Sequence, residues 1–169
     1  MLKIVSGGQT GVDRAALDAA IEKGIAYAGW CPKGGWAEDL PNPPGVLARY
    51  DRLQETPFAD PKQRTEWNVR DSDRLMVLLD RRRLVSSGTK YAIVCADELR
   101  RPLLVIDLDA GGGFERAVTW LCECEQMDLP LCIAGPRDSE APGIYAKARD
   151  FLDRLFASFG EARPQQDAV

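Results

Sequence analysis

Ser6-Gly7-Gly8-Gln9-Thr10-Gly11 follows the apolar run Leu2-Lys3-Ile4-Val5 and opens the pattern Val12 to Lys23. The run reads as a buried strand and the pattern as a helix, so the glycines mark a sharp strand-to-helix turn. Such a turn makes an anion site. Glycines let backbone N–H groups come close to a ligand, and the helix N-terminus adds partial positive charge. Gly7, Gly8, Gln9, Thr10 and Gly11 are therefore candidate phosphate-binding residues. A plainer reading stands beside this one: Thr10-Gly11-Val12-Asp13 fits a capping box, in which Thr10 and Asp13 satisfy helix N–H groups without a ligand.

The same alternation continues along the chain. Strand-like runs fall at Leu2–Val5, Ala26–Trp30, Leu75–Leu79, Leu103–Ile106 and Leu131–Ala134. They carry few charges, as strands covered on both faces do. Helical patterns fall at Val12–Lys23, Pro61–Arg70, Thr89–Arg100, Phe114–Cys124 and Pro142–Phe159. Strands alternating with helices predict an α/β, Rossmann-like open and mostly parallel sheet with helices on both faces. Residues 1–159 read as a single ligand-binding domain, and the polar stretch 160–169 as a frayed, disordered tail.

In an open parallel sheet the loops at the carboxyl ends of the strands gather on one edge. Ser86-Ser87-Gly88-Thr89 precedes a helix and offers a second glycine-and-hydroxyl anion site, which adds Ser87, Gly88 and Thr89 to the candidates. The last strand runs into Gly135-Pro136-Arg137-Asp138-Ser139, which adds Gly135 and Arg137. Three such loops on one edge suit an extended ligand with more than one anionic group. Arg81-Arg82-Arg83 reads as a solvated basic turn. One segment breaks the rhythm. Cys31 to Pro61 carries six prolines, with Lys33-Gly34-Gly35 and Glu38-Asp39. It reads as a long structureless loop that forms a lid or pocket wall, with Lys33 reaching an anion, or else as a solvated loop.

Composition excludes several function classes. The chain has 169 residues, 45% of them hydrophobic, and a net charge of −4. The acidic balance argues against nucleic-acid partners, and no apolar run approaches the roughly 18 residues of a membrane span. There is no histidine, which removes Ser-His-Asp and Cys-His nucleophile systems and the commonest metal ligand. Five cysteines form no C-x-x-C pair; Cys31, Cys95 and Cys132 read as buried free thiols in a cytoplasmic protein with no metal site. The first turn is not a nicotinamide fingerprint, because the second strand ends Ala28-Gly29-Trp30-Cys31 without a ribose-binding carboxylate. Gly11-Val12-Asp13 is not the G-K-[ST] of a Walker A loop.

The longer motifs are specific. Ser6 to Asp18, Gly29-Trp30-Cys31-Pro32-Lys33-Gly34 with Ala37-Glu38-Asp39, Glu55-Thr56, Arg64 to Asp73, and Ala134 to Ser139 resemble the molybdenum cofactor carrier family over Lys3 to Leu155. That family lies within a wider Rossmann-like group that includes the lysine-decarboxylase-like phosphoribohydrolases and a DNA-processing protein. The resemblance implies an open parallel sheet and self-association as a dimer or tetramer. It also implies a surface pocket for the phosphorylated pyranopterin of molybdenum cofactor (molybdopterin), carried as cargo. It adds Asn68, Asp71, Ser72 and Asp73 to the candidate ligand-binding residues. The chain departs from its relatives in places. Arg74 stands where the family has glycine, and Ser87-Gly88 where a glycine pair is expected. The phosphoribohydrolases carry P-G-G-x-G-T-x-x-E; here Ala92 stands at the glutamate's position.

These readings favour a binding or carrier protein for a phosphorylated, nucleotide-like small molecule, rather than an enzyme. The alternative is a nucleotide-processing enzyme with Glu38, Asp39, Asp71 or Asp73 as acid–base groups. A single-strand nucleic-acid binder is the weakest reading, given the acidic charge.

Overall fold

A computed structural model describes residues 1–80, 86–124 and 128–161. The arginine run 81–83 and residues 162–169 of the expected tail lie outside the described residues. Among the described residues the elements run β1 (Leu2–Val5), α1 (Val12–Glu22), β2 (Ala26–Cys31), β3 (Leu53–Glu55), α2 (Pro61–Arg70), β4 (Arg74–Leu79), α3 (Ser87–Glu98), β5 (Leu103–Asp107), α4 (Gly113–Cys122), β6 (Leu129–Ala134) and α5 (Ile144–Glu161). The strands form one sheet in the order β3-β2-β1-β6-β4-β5, and every pairing is parallel. This is the α/β, Rossmann-like architecture that the alternating pattern predicts.

Helices cover both faces. On one side α1, α4 and α5 pack with Ile4, Met76, Leu78, Ile106, Leu131 and Ile133. The stripe Val12, Ala15, Ala16, Ala19 and Ala20 of α1 is fully buried. Its spacing is that of one helix face, and its small side chains let α1 lie close to Ala148, Leu152 and Leu155 of α5. On the other side α2 and α3 bury Val69, Ala92, Cys95 and Ala96 against Leu75, Val77 and Cys132. Cys31, Cys95 and Cys132 are buried free thiols, and burial pushes all three thiols up. No helix among the described residues is long and apolar enough to cross a membrane.

Three expectations are corrected. The stretch between Cys31 and Pro61 is not structureless. It holds 3₁₀ turns at Lys33–Gly35 and Gly45–Ala48, and then β3, which pairs with Gly29, Trp30 and Cys31 of β2. Ala37, Val46, Tyr50 and Leu53 of this stretch pack with Leu17 and Cys31 in a third apolar cluster. Burial of these scattered apolar residues orders a segment whose prolines disguise it. Next, Thr10 does not cap α1. The N-cap is Gly11, with no side-chain cap bond, and the Thr10 hydroxyl is turned to Glu38 instead. Finally, α5 continues to Glu161, past the Phe159 expected as its end.

Candidate functional site

The topology sets the site. The chain leaves β6 for α5 on one face of the sheet and leaves the neighbouring β4 for α3 on the other. At such a switch point the two connections diverge and open a crevice at the carboxyl ends of the strands. A cavity of about 280 Å³ lies there, lined by Gln9 and Asp13 from the first turn and by Ala134, Gly135, Arg137 and Glu140 after β6. The start of α2 adds Asp60 to Lys62, Arg64 and Thr65; the start of α3 adds Ser86 to Thr89, Tyr91 and Ala92.

Three cations border this cavity. Lys62 stands 5.8 Å from the Tyr91 ring centroid, and the Arg137 guanidinium 5.4 Å from that of Trp36. Arg64 Nη1 donates to Asp13 Oδ2 at 2.7 Å, with side chains only 14% and 6% exposed. Burial raises the Asp13 carboxyl above its ordinary value, against the lowering effect of the Arg64 charge and hydrogen bond. The first turn of α3 adds a dipole. Ser86 Oγ accepts from the Thr89 amide at 3.2 Å, while Ser87 and Gly88 contribute first-turn amides that helix geometry leaves without an intrahelical acceptor. Asp60 caps α2 by accepting from the Lys62 amide at 2.9 Å, and Glu140 Oε2 accepts from the Arg137 amide at 3.0 Å. The carboxylates around the crevice are thus engaged with the framework.

A second, more open cavity of about 610 Å³ lies beside the first, bordered by Thr10, Gly11, Arg14, Asp18, Glu38, Asp39, Arg49, Asp138, Ser139 and Tyr145. Arg14 is buried here. Its Nε donates to the Gly8 carbonyl at 3.1 Å, and its two terminal nitrogens donate to Asp39 at 2.9 Å each. That hydrogen-bonded pair holds the Asp39 carboxyl below the usual carboxylate range. Burial alone would raise Glu38, but hydrogen bonds from Ser139 and Thr10 outweigh it and keep Glu38 below that range too.

The structure brings together Gln9, Ser87, Gly88, Thr89, Gly135 and Arg137 in the crevice, and Thr10 and Gly11 in the second cavity. The other candidates lie elsewhere. Gly8 faces Leu53, Val46 and Leu17 in the interior. A Cβ on Gly7 would overlap the Arg64 guanidinium, so Gly7 makes room for a side chain of the protein itself. Lys33 is exposed in a neighbouring hollow with Trp36, Pro41, Pro43, Ala59 and Pro61, of which Pro61 also lines the crevice. Asn68 bridges α2 to β2 through the Trp30 amide and carbonyl, at 2.7 and 2.9 Å. Asp71 accepts from Trp30 Nε1 at 2.7 Å, Ser72 donates to the Asn68 carbonyl at 2.7 Å, and the Asp73 amide donates to Pro130 at 2.8 Å. These three residues precede β4, at the amino edge of the sheet. Lys62 and Arg64 were not named as site residues from the sequence, and Asp13 was read only as a capping-box residue. The signal for the first two was a basic first turn on α2, but it carries weight only once β3 is recognised, because β3 makes the start of α2 another carboxyl-edge loop.

Sheet order, helix placement and this crevice define the class: a Rossmann-like α/β protein with a cation-bordered cavity at its topological switch point. The chain belongs to the circularly permutated YpsA SLOG family, whose profile it matches over residues 4–156. It is also similar to a "putative molybdenum carrier protein" from Syntrophus aciditrophicus SB, known from a crystal structure at 1.45 Å resolution. The two are 40% identical with a TM-score of 0.77, over 91% of this chain and 93% of that one. No curated protein matches the chain. The resemblance carried by the Ser6–Asp18 and Arg64–Asp73 motifs is borne out.

Proposed function

We propose that the protein binds a phosphorylated, nucleotide-like small molecule in the crevice and serves as its carrier, with molybdenum cofactor as the first candidate cargo. The observation that carries this reading is the convergence of Lys62, Arg64 and Arg137 with the N-terminus of α3 on one cavity. Cations and first-turn amides on one recess suit a dianionic phosphate better than any neutral group. The donor set fits the phosphate end of a pyranopterin: Lys62, Arg64, Arg137 and the Ser87–Thr89 turn would hold it, and the Tyr91 ring offers a flat apolar neighbour. The named carrier among similar structures supports the same direction. Among the described residues no three metal-ligating side chains come together, so this reading places no protein-bound metal in the site.

Binding is favoured over hydrolysis by one position. Ala92, which stands where the phosphoribohydrolase motif has glutamate, lines the cavity and offers no carboxyl there. A cytoplasmic home and self-association as a dimer or tetramer belong to the same reading.

Native mass spectrometry of protein purified from its own cells tests the cargo, and calorimetry with inorganic phosphate and AMP tests the crevice. Co-purified molybdopterin and phosphate binding without turnover are expected. Release of free base from AMP at roughly 1 per second or faster would make the protein an enzyme instead.

A further inference from the structure

The two cavities adjoin along two loops. The crevice ends at Gln9 and Arg137, and the larger cavity begins at their chain neighbours Thr10 and Asp138. Glu38 borders the larger cavity and is bonded to both of these loops. Its carboxylate accepts from Ser139 Oγ at 2.6 Å, from the Ser139 amide at 3.3 Å and from the Thr10 hydroxyl. Its own amide donates to Gln9 Oε1 at 3.0 Å. A carboxylate of the chain is thus seated on donors from both loops that flank the crevice.

The other carboxylates of the larger cavity have framework partners. Asp18 is held by Arg49, Tyr50 and Tyr145, and Asp39 by Arg14. Asp138 accepts from the amides of Gly143 and Tyr145. Withdrawing Glu38 would leave these pairs intact. The crevice alone, at about 280 Å³, falls just below the usual range of small-molecule pockets, roughly 300–1,000 Å³.

We propose that Glu38 is a displaceable partition. A ligand with two acidic groups places one in the crevice and gives the other to the Thr10 and Ser139 donors in place of Glu38. The two cavities then form one groove, and the polar, uncharged body of the ligand lies along the second. The class is that of a nucleoside diphosphate, whereas a single phosphate fits the crevice with Glu38 in place. This rests on the phosphate reading of the crevice given above.

While Glu38 is seated, the longer ligand binds only the fraction of molecules in which it has swung out, so its apparent affinity is reduced by that fraction. Calorimetry with ADP and with inorganic phosphate, on the full chain and on Glu38→Ala, tests the proposal. ADP should bind roughly tenfold tighter to Glu38→Ala, while inorganic phosphate is unchanged. Glu38→Gln should give a smaller gain for ADP, and it carries the test if the alanine variant fails to fold. Phosphate binding with no gain for ADP in either Glu38 variant overturns the partition. Failure of both probes to bind any form of the protein removes the crevice reading and the partition with it.

Discussion

Arg64 of α2 reaches across the carboxyl edge of the sheet and closes an ion pair on Asp13 of α1, with Nη1 to Oδ2 at 2.7 Å. The two helices lie on opposite faces, so the pair ties both layers together beneath the crevice. Gly7 is what lets it form, because any Cβ there would collide with the guanidinium. A glycine that sequence reasoning assigns to a phosphate thus makes room for a half-buried arginine that borders the cavity.

Arg64→Ala should therefore cost stability as well as ligand. Breaking a buried pair from one side leaves an uncompensated charge, a loss of about 3–5 kcal/mol. The loss depends on pH. Burial holds the folded Asp13 carboxyl above its unfolded value. The stability linked to its protonation is present at acid pH and falls as pH rises through the folded value. Without Arg64 that value climbs further. Denaturant unfolding at pH 7 and near pH 4 should show the larger deficit at pH 7. Equal deficits at both would mean that Asp13 is not charged in the native pair.

The glycines of the edge loops should separate by role. Gly11 has φ +75°, and a Cβ there would overlap the Pro136 carbonyl and press on the Arg137–Asp138 backbone. Gly11→Ala should destabilise the fold by several kcal/mol, about 1–3 from the backbone conformation alone and more from the overlap. Gly88 has ordinary φ and open space around its missing Cβ. Gly88→Ala should leave stability unchanged or raise it by up to about 1 kcal/mol, and Gly88→Val should weaken phosphate binding by crowding the first turn of α3. Thermal melts paired with calorimetry read both. A folded Gly88→Val variant with full phosphate affinity would remove α3 from the site.

Most of the architecture was legible because it rests on periodicity. Buried parallel strands are continuous apolar runs, and α1 shows its alanine stripe in sequence. β3 was not legible. Leu53-Gln54-Glu55 has one apolar residue, and its strand character comes from the neighbouring edge of β2. With β3 hidden, the start of α2 was not placed at the site, and Lys62 and Arg64 went unseen. Motif likeness also named Asn68, Asp71, Ser72 and Asp73, residues whose hydrogen bonds tie α2 to β2 and the start of β4 to β6. A motif marks what a fold needs as readily as what a ligand needs, and only the geometry tells these apart.

Arg137 should matter as a flat, stacked cation. Its guanidinium lies over Trp36 and borders the crevice. Arg137→Met should weaken inorganic phosphate by about 1.5–3 kcal/mol, the scale of a hydrogen bond to a charged group. Arg137→Lys should recover little, because an ammonium neither stacks as a plane nor offers a fork. Titrations at low and high salt should show the wild-type advantage shrinking as screening grows. A lysine variant with full affinity would reduce Arg137 to a point charge.

Lys33 is the sharpest contrast between sequence and structure. Beside two glycines at the end of β2 it reads as an anion ligand, with an expected loss of about 1.5–3 kcal/mol on truncation. In the fold it is exposed and borders a proline-lined hollow with Trp36, not the crevice. Its amide donates to the Phe58 carbonyl at 3.1 Å, which fixes the backbone but leaves the side chain toward solvent. Lys33→Ala should therefore change phosphate affinity by no more than about 0.5 kcal/mol, as surface substitutions do. Lys62→Ala, measured alongside, should show the larger loss, because Lys62 borders the crevice itself. Calorimetry on both variants decides between two positions for the anion. A large loss at Lys33 with none at Lys62 would move the phosphate out of the crevice and over the proline-rich hollow.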